Sequence, residues 1–134
     1  MIKKSSLILV MVLLTAVLCS CGGNIKHAKK VVGTSVIYTP EEIESAMDVA
    51  MDYFDKEFEG CTLLEISYDE AQSSDAADEY EERWNTQVIV LYSSFDVDSN
   101  GGDGSFNPNS TYRGWNWILS RSDNGEWILR DWGY

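Results

Sequence analysis

The 134-residue sequence predicts an α+β fold in which one long N-terminal helix packs on a curved four-stranded antiparallel sheet. Three observations carry this expectation. Residues 38–60 hold one apolar stripe at helical spacing, bounded by a start signal and a stop signal. Four later segments, beginning at Cys61, Gln87, Thr111 and Glu126, are rich in β-branched and aromatic residues. The last two of them flank Asn124-Gly125, a preferred two-residue hairpin turn.

The helix starts at Thr39, an N-cap followed by Pro40, with Glu42 placed to complete a capping box. Tyr38 and Ile43 stand at the positions of a hydrophobic staple. Ile43, Ala46, Met47, Ala50, Met51, Phe54 and Phe58 form the buried stripe, and Gly60 supplies the stop. The acidic side chains of the other face read as a solvated surface. "CTLLEISYD" is the first strand, with Leu64, Ile66 and Tyr68 alternating. The acidic stretch after it holds at most a short helix, with Glu79 and Arg83 spaced as an ion pair. "QVIVLYSSFDV" is the most apolar strand and is expected at the centre. Pairing across Asn124-Gly125 sets Trp117 against Trp132 and Trp115 against Tyr134, so four aromatics share one face of the final hairpin.

The N-terminus has a different character. Lys3 and Lys4 precede an apolar run from Leu7 to Leu18, broken only by Thr15, twelve residues against the ~20 that a membrane-spanning helix needs. That is a secretory signal, and Leu18-Cys19-Ser20-Cys21-Gly22 fits a lipoprotein cleavage site. The expected organisation is a signal peptide over 1–20, a tether over 21–37 lipidated (palmitate) on Cys21, and a single α+β domain over 38–134. The mature protein then keeps one thiol, Cys61, which opens an apolar run and reads as a buried, inert group. The expected location is the extracytoplasmic face of the cell membrane.

From Glu41 onward there are 22 acidic side chains against five basic ones, a formal charge of −17. Such a field repels nucleic acid and attracts cations and basic partners. Lys26, Lys29 and Lys30 are the exception, placed where they could favour an anionic leaflet or merely keep a linker soluble.

"GDGSFNPNSTYRGWNWIL", "RDWGY" and "FEGCTLLEISYDE", taken with the lipoprotein signal, resemble a family of uncharacterised secreted lipoproteins of Gram-positive bacteria. The resemblance covers essentially the whole mature domain. It implies a cystatin-like or nuclear-transport-factor-2-like cone, with a helix lying in the concavity of a bent antiparallel sheet. It implies no substrate and no catalytic residue.

The residues themselves exclude several chemistries. The single histidine, His27, lies in the tether, so Ser-His-Asp and Cys-His mechanisms and ordinary zinc sites lack their parts. The glycines at 101, 102 and 104 are not followed by a helix, so no phosphate loop forms. Asp131 is the one acid embedded in an aromatic strand and is the candidate general base of an enzyme or small-ligand pocket at the mouth of the cone. Trp115, Trp117 and Trp132 would bind carbohydrate if exposed and form core if buried. Asp96, Asp98, Asn100 and Asp103 are candidate ligands for weak calcium binding. They match the first half of an EF-hand loop, but the twelfth position is Asn107 where a bidentate Glu belongs. The competing account of that loop is a series of side-chain-to-backbone turns. No cofactor other than calcium is expected. The expected function is a lipid-anchored, non-catalytic binding or accessory domain with an unknown protein or cell-wall partner, contacting it through the loop from Asp96 to Tyr112.

Overall fold

The computed structural model describes residues 22–134; the stretch expected as a signal peptide, 1–20, and the expected lipidation site Cys21 lie outside the described residues. In chain order the elements are β1 (Lys29–Val31), α1 (Pro40–Glu57), β2 (Cys61–Ser67), α2 (Glu70–Trp84), β3 (Gln87–Val97), β4 (Thr111–Arg121) and β5 (Ile128–Gly133). The fold is α+β, with two helices and a five-stranded mixed sheet in the order β1-β2-β3-β4-β5. β1 runs parallel to β2, and every other neighbouring pair is antiparallel. Among the described residues no helix is long and apolar enough to cross a membrane.

This corrects the expectation of a single helix on a curved four-stranded antiparallel sheet. The sheet is open and does not curl into a cone, because a helix packs on each of its faces. β3 shows why. Val88, Ile89, Val90 and Leu91 are all buried, and alternate side chains point to opposite faces. Ile89 and Leu91 join Phe95, Trp117 and the apolar stripe of α1. Val88 and Val90 join Ile118 and Ala77 of α2. β3 is the central strand, as its composition predicts.

α1 begins and packs as its sequence requires. Thr39 accepts from Glu42 N, and the Glu42 carboxylate accepts from Thr39 N, which closes the capping box. The stripe from Ile43 to Phe58 is buried. α2 is a full fifteen-residue helix where only a short one is expected. Asp69 caps it and Asn85 ends it in the left-handed region at φ 51°. Only Ser73 and Ala77 of α2 are fully buried, and the stripe they share with Tyr80 and Trp84 is short and only partly covered. Glu79 and Arg83 form the expected ion pair.

The segment expected as a tether is built into the fold. Lys29, Lys30 and Val31 pair with Glu65, Ile66 and Ser67, and Asn24 bridges Thr62 further down the same strand. Lys30 pairs with Asp48 of α1. Gly23 N donates to the Asp55 carbonyl, and a Cβ on Gly23 would lie 2.6 Å from the Phe54 carbonyl oxygen and 2.8 Å from its ring.

Two irregularities alter the expected strand patterns. A bulge between Leu63 and Glu65 turns Leu63 inward with Ile66 and leaves Leu64 exposed, so the alternation at Leu64 fails. In the last hairpin Gly125 N donates to the Ser122 carbonyl, and Asp123 and Asn124 both have positive φ. The central residues of the turn are therefore Asp123-Asn124, one position earlier than expected. Extra residues on the β5 side absorb the slip: Leu119 faces Leu129, a bulge follows, and Trp117 faces Trp132 as predicted.

Candidate functional site

The aromatic face of the β4–β5 hairpin lies under the C-terminal half of α1, and most of it is core. Trp117 is 1 % exposed and donates through Nε1 to Ser93 Oγ at 2.8 Å. Toward the β3–β4 loop the packing opens. Trp132 is 39 % exposed and Tyr134 77 %, and Trp115 is half-buried. Tyr53 of α1 leans on Trp132 with ring centroids 4.5 Å apart. Phe106, carried in by the loop, sits 5.8 Å from Phe58 and 5.9 Å from Trp115. Together Tyr53, Phe58, Phe106, Trp115 and Trp132 wall a cleft of about 490 Å³.

Glu57, Asp103 and Ser105 supply the polar lining. Ser105 gives Asp103 both its backbone N–H and its hydroxyl, which holds that carboxyl below the usual aspartate range. Burial, then the nearby Glu57 charge, pushes the Tyr53 phenol upward. Trp115 Nε1 is buried and has no hydrogen-bond partner among the described residues, and the rings of Phe58, Phe95 and Tyr112 stand nearly perpendicular to the indole. A buried donor left so costs about 1–3 kcal/mol.

The loop presenting Phe106 and Asp103 is held by its own side chains. Asp98 Oδ1 accepts from the backbone of Asn100 and Gly102, each at 3.0 Å. Gly101 and Gly102 take φ of 73° and 65°. A Cβ on Gly102 would lie 2.8 Å from the Glu59 carbonyl oxygen, so the loop is seated against the end of α1. Asp96 is engaged by the Thr111 hydroxyl across the β3–β4 pair. The candidate calcium ligands Asp96, Asp98 and Asp103 are thus each bound to local donors, and Asn100 contributes its backbone N–H. Among the described residues, no three His, Cys, Asp or Glu side chains converge in a way that would hold a metal ion.

Asp131 is separated from the aromatic cleft by the sheet. It pairs with Ile118, which packs on the α2 side, and its carboxylate accepts from Trp132 N. The structure therefore brings Trp115, Trp132 and Asp103 together, buries Trp117, and leaves Asp131 on the other face. Cys61 is buried and makes no disulfide among the described residues, and burial with the charges of Asp98 and Asp103 pushes its thiol up to about 11. Tyr53, Glu57 and Phe106 are cleft residues that the sequence reading passed over. Val49, Tyr53 and Glu57 recur every four residues beside the main stripe of α1, which is the one signal that could have found two of them.

A second cleft, of about 590 Å³, lies between α2 and the start of β3. Its side chains are committed to the strand edge: Ser73 accepts from Val90 N, Glu81 accepts from Val88 N, and the Tyr38 hydroxyl donates to the Val88 carbonyl. These bonds replace the strand partner that β2 does not provide there, a structural task.

No family model matches the chain, and no curated protein or solved structure shows significant similarity to it. The likeness to secreted lipoproteins rests on the quoted motifs alone.

Proposed function

We propose that the chain is a lipid-anchored domain of the extracytoplasmic membrane face, held through Cys21, that acts by binding a partner and not by catalysis. The aromatic cleft carries this reading. Partly exposed Trp132 and half-buried Trp115, beside the loop from Asp96 to Tyr112, make a concave contact surface of aromatic rings and acidic side chains, while Trp117 on the same face is buried. The alternative of an enzyme centred on Asp131 is weakened by geometry, since that carboxylate shares no space with the cleft. A carbohydrate-binding surface is the second reading, favoured by the exposure of Trp132.

The test is a photo-crosslinking side chain placed at Ser105 in one strain and at Asp78, on α2, in another. Adducts on intact cells from position 105 alone would support the cleft as the contact site. Equal or absent adducts from both positions would overturn it. The Trp132→Ala chain, carrying the same probe at 105, should lose most of the product.

A further inference from the structure

We propose that the cleft between α1, the β3–β4 loop and β5 receives an organic ammonium ion, an alkylated amine or quaternary head group, in a cage of aromatic rings. This rests on the reading of that cleft as the binding site and names the chemical class of its occupant.

The argument is one of complementarity. Five rings line the cleft, and the faces of aromatic rings are electron-rich. A cation within about 6 Å of such a face is attracted without needing a hydrogen bond, and more strongly where water is excluded. The rings are differently inclined: Trp132 is tilted 43° to Tyr53, Trp115 is 88° from Phe58, and Phe106 is 66° from Trp115. These are direct ring contacts, with centroids 4.5, 6.0 and 5.9 Å apart, so the inclinations describe how the walls pack, and the space for a guest is the cleft that the five rings line together.

The polar lining points the same way. Beyond the Tyr53 hydroxyl and the indole N–H groups, it consists of two carboxylates and one serine hydroxyl, and that hydroxyl already donates to Asp103. No amide and no cationic side chain lines the cleft. A sugar presents hydroxyls that both give and accept hydrogen bonds; the donors on offer here are the Tyr53 phenol and the indole N–H groups, that of Trp115 being buried, so the lining is mainly accepting. Carboxylates only accept, so they suit an occupant that carries positive charge. The nearest lysine on α1, Lys56, is engaged by Asp52 at 2.9 Å and does not neutralise Glu57 through an ion pair. The charge of −17 from Glu41 onward adds a long-range field of the same sign.

The full chain, purified in detergent, is titrated with choline and separately with 3,3-dimethyl-1-butanol, its uncharged isostere. The indole N–H resonances of Trp115 and Trp132 are followed in ¹⁵N–¹H spectra. Saturable shifts of both resonances are expected with choline, and at least about tenfold weaker binding of the isostere. Trp132→Ala should abolish the choline response, and Asp103→Asn, which retains the turn to Ser105, should weaken it several-fold. Equal affinity for the two probes would overturn the ammonium assignment. So would a response to an N-acetylglucosamine oligomer and none to choline. Both results leave the cleft as a binding site, whereas failure of the crosslinking contrast between Ser105 and Asp78 would remove that reading itself. No response to any of the three probes overturns the ammonium assignment.

Discussion

Glu42→Gln should destabilise the protein by about 1–3 kcal/mol through a residue it leaves behind, Arg121. Arg121 is only 6 % exposed although it carries a full charge. Its guanidinium pairs with Glu42, donates through Nε to Gln87 at 2.7 Å, and lies 4.4 Å over Trp127 and 5.6 Å over Tyr38. Trp127 in turn donates to the Glu42 carbonyl at 3.0 Å, so the start of α1 and the end of β4 meet at this cation. Glutamine preserves the capping box, so the loss isolates the missing countercharge. Arg121 is buried but the Glu42 side chain is 31 % exposed, so stranding the cation costs less than breaking a fully buried pair, and removing both is cheaper still because no buried charge is stranded. Glu42→Gln combined with Arg121→Met should therefore cost at least 1 kcal/mol less than the sum of the single changes. The assay is urea unfolding followed by circular dichroism, with free energies compared at equal slopes.

The same pair sets a pH dependence. The Thr39 N–H and the Arg121 guanidinium hold the Glu42 carboxyl below its ordinary value of 4.5. A lowered folded-state value means that the contribution is complete above about 4.5 and disappears as pH falls through the folded value. The stability gap between the natural protein and Glu42→Gln should shrink over that acid range and stay constant from pH 6 to 8. Strict additivity of the double variant, or a gap unchanged on acidification, would refute the reasoning.

Gly23→Ala should lower stability by about 1–3 kcal/mol, because its new methyl meets the Phe54 ring and carbonyl; a thermal shift below 1 °C would contradict this. Cys61 should resist a thiol reagent at pH 8 in the native protein and react once, fully, in denaturant, since burial raises its thiol to about 11. Asp98→Ala should cost about 1–2 kcal/mol by freeing the Asn100 and Gly102 amides, and millimolar calcium should leave the melting temperature of the natural protein unchanged. Cys21→Ala should yield an unprocessed or released protein, and membrane retention of a lipid-modified form would disprove the anchor.

Elements with dense local signals were legible in the sequence. α1 carries a capping box and a seven-member stripe, and β3 an apolar run buried on both faces, so each could be placed from its own residues. α2 could not, because its fully buried residues are only Ser73 and Ala77, and the larger Tyr80 and Trp84 that pack beside them stand in a stretch dominated by acidic and small residues. β1 is three residues long and gains its place by pairing with Glu65 to Ser67, a non-local fact that its lysines do not reveal. The cone followed from missing these two elements. At the site, the aromatics of β4 and β5 stood out as Trp and Tyr alternating along a hairpin. Which of them would be covered depended on how far α1 reaches across the sheet, and so Trp117 and Trp132 met opposite fates.

The contact between Gly23 and the end of α1 has a consequence for reach. A free tether of the length expected from Cys21 to Ile37 would let the domain roam roughly 55–60 Å from its anchor. Folding into the sheet begins instead at residues 23 and 24, so an acyl chain on Cys21 would leave almost no slack. A domain moored that closely patrols the membrane surface and little beyond it. Partners would have to arrive at the bilayer to be met, and lengthening the chain between Cys21 and Gly22 would be the direct way to extend its range.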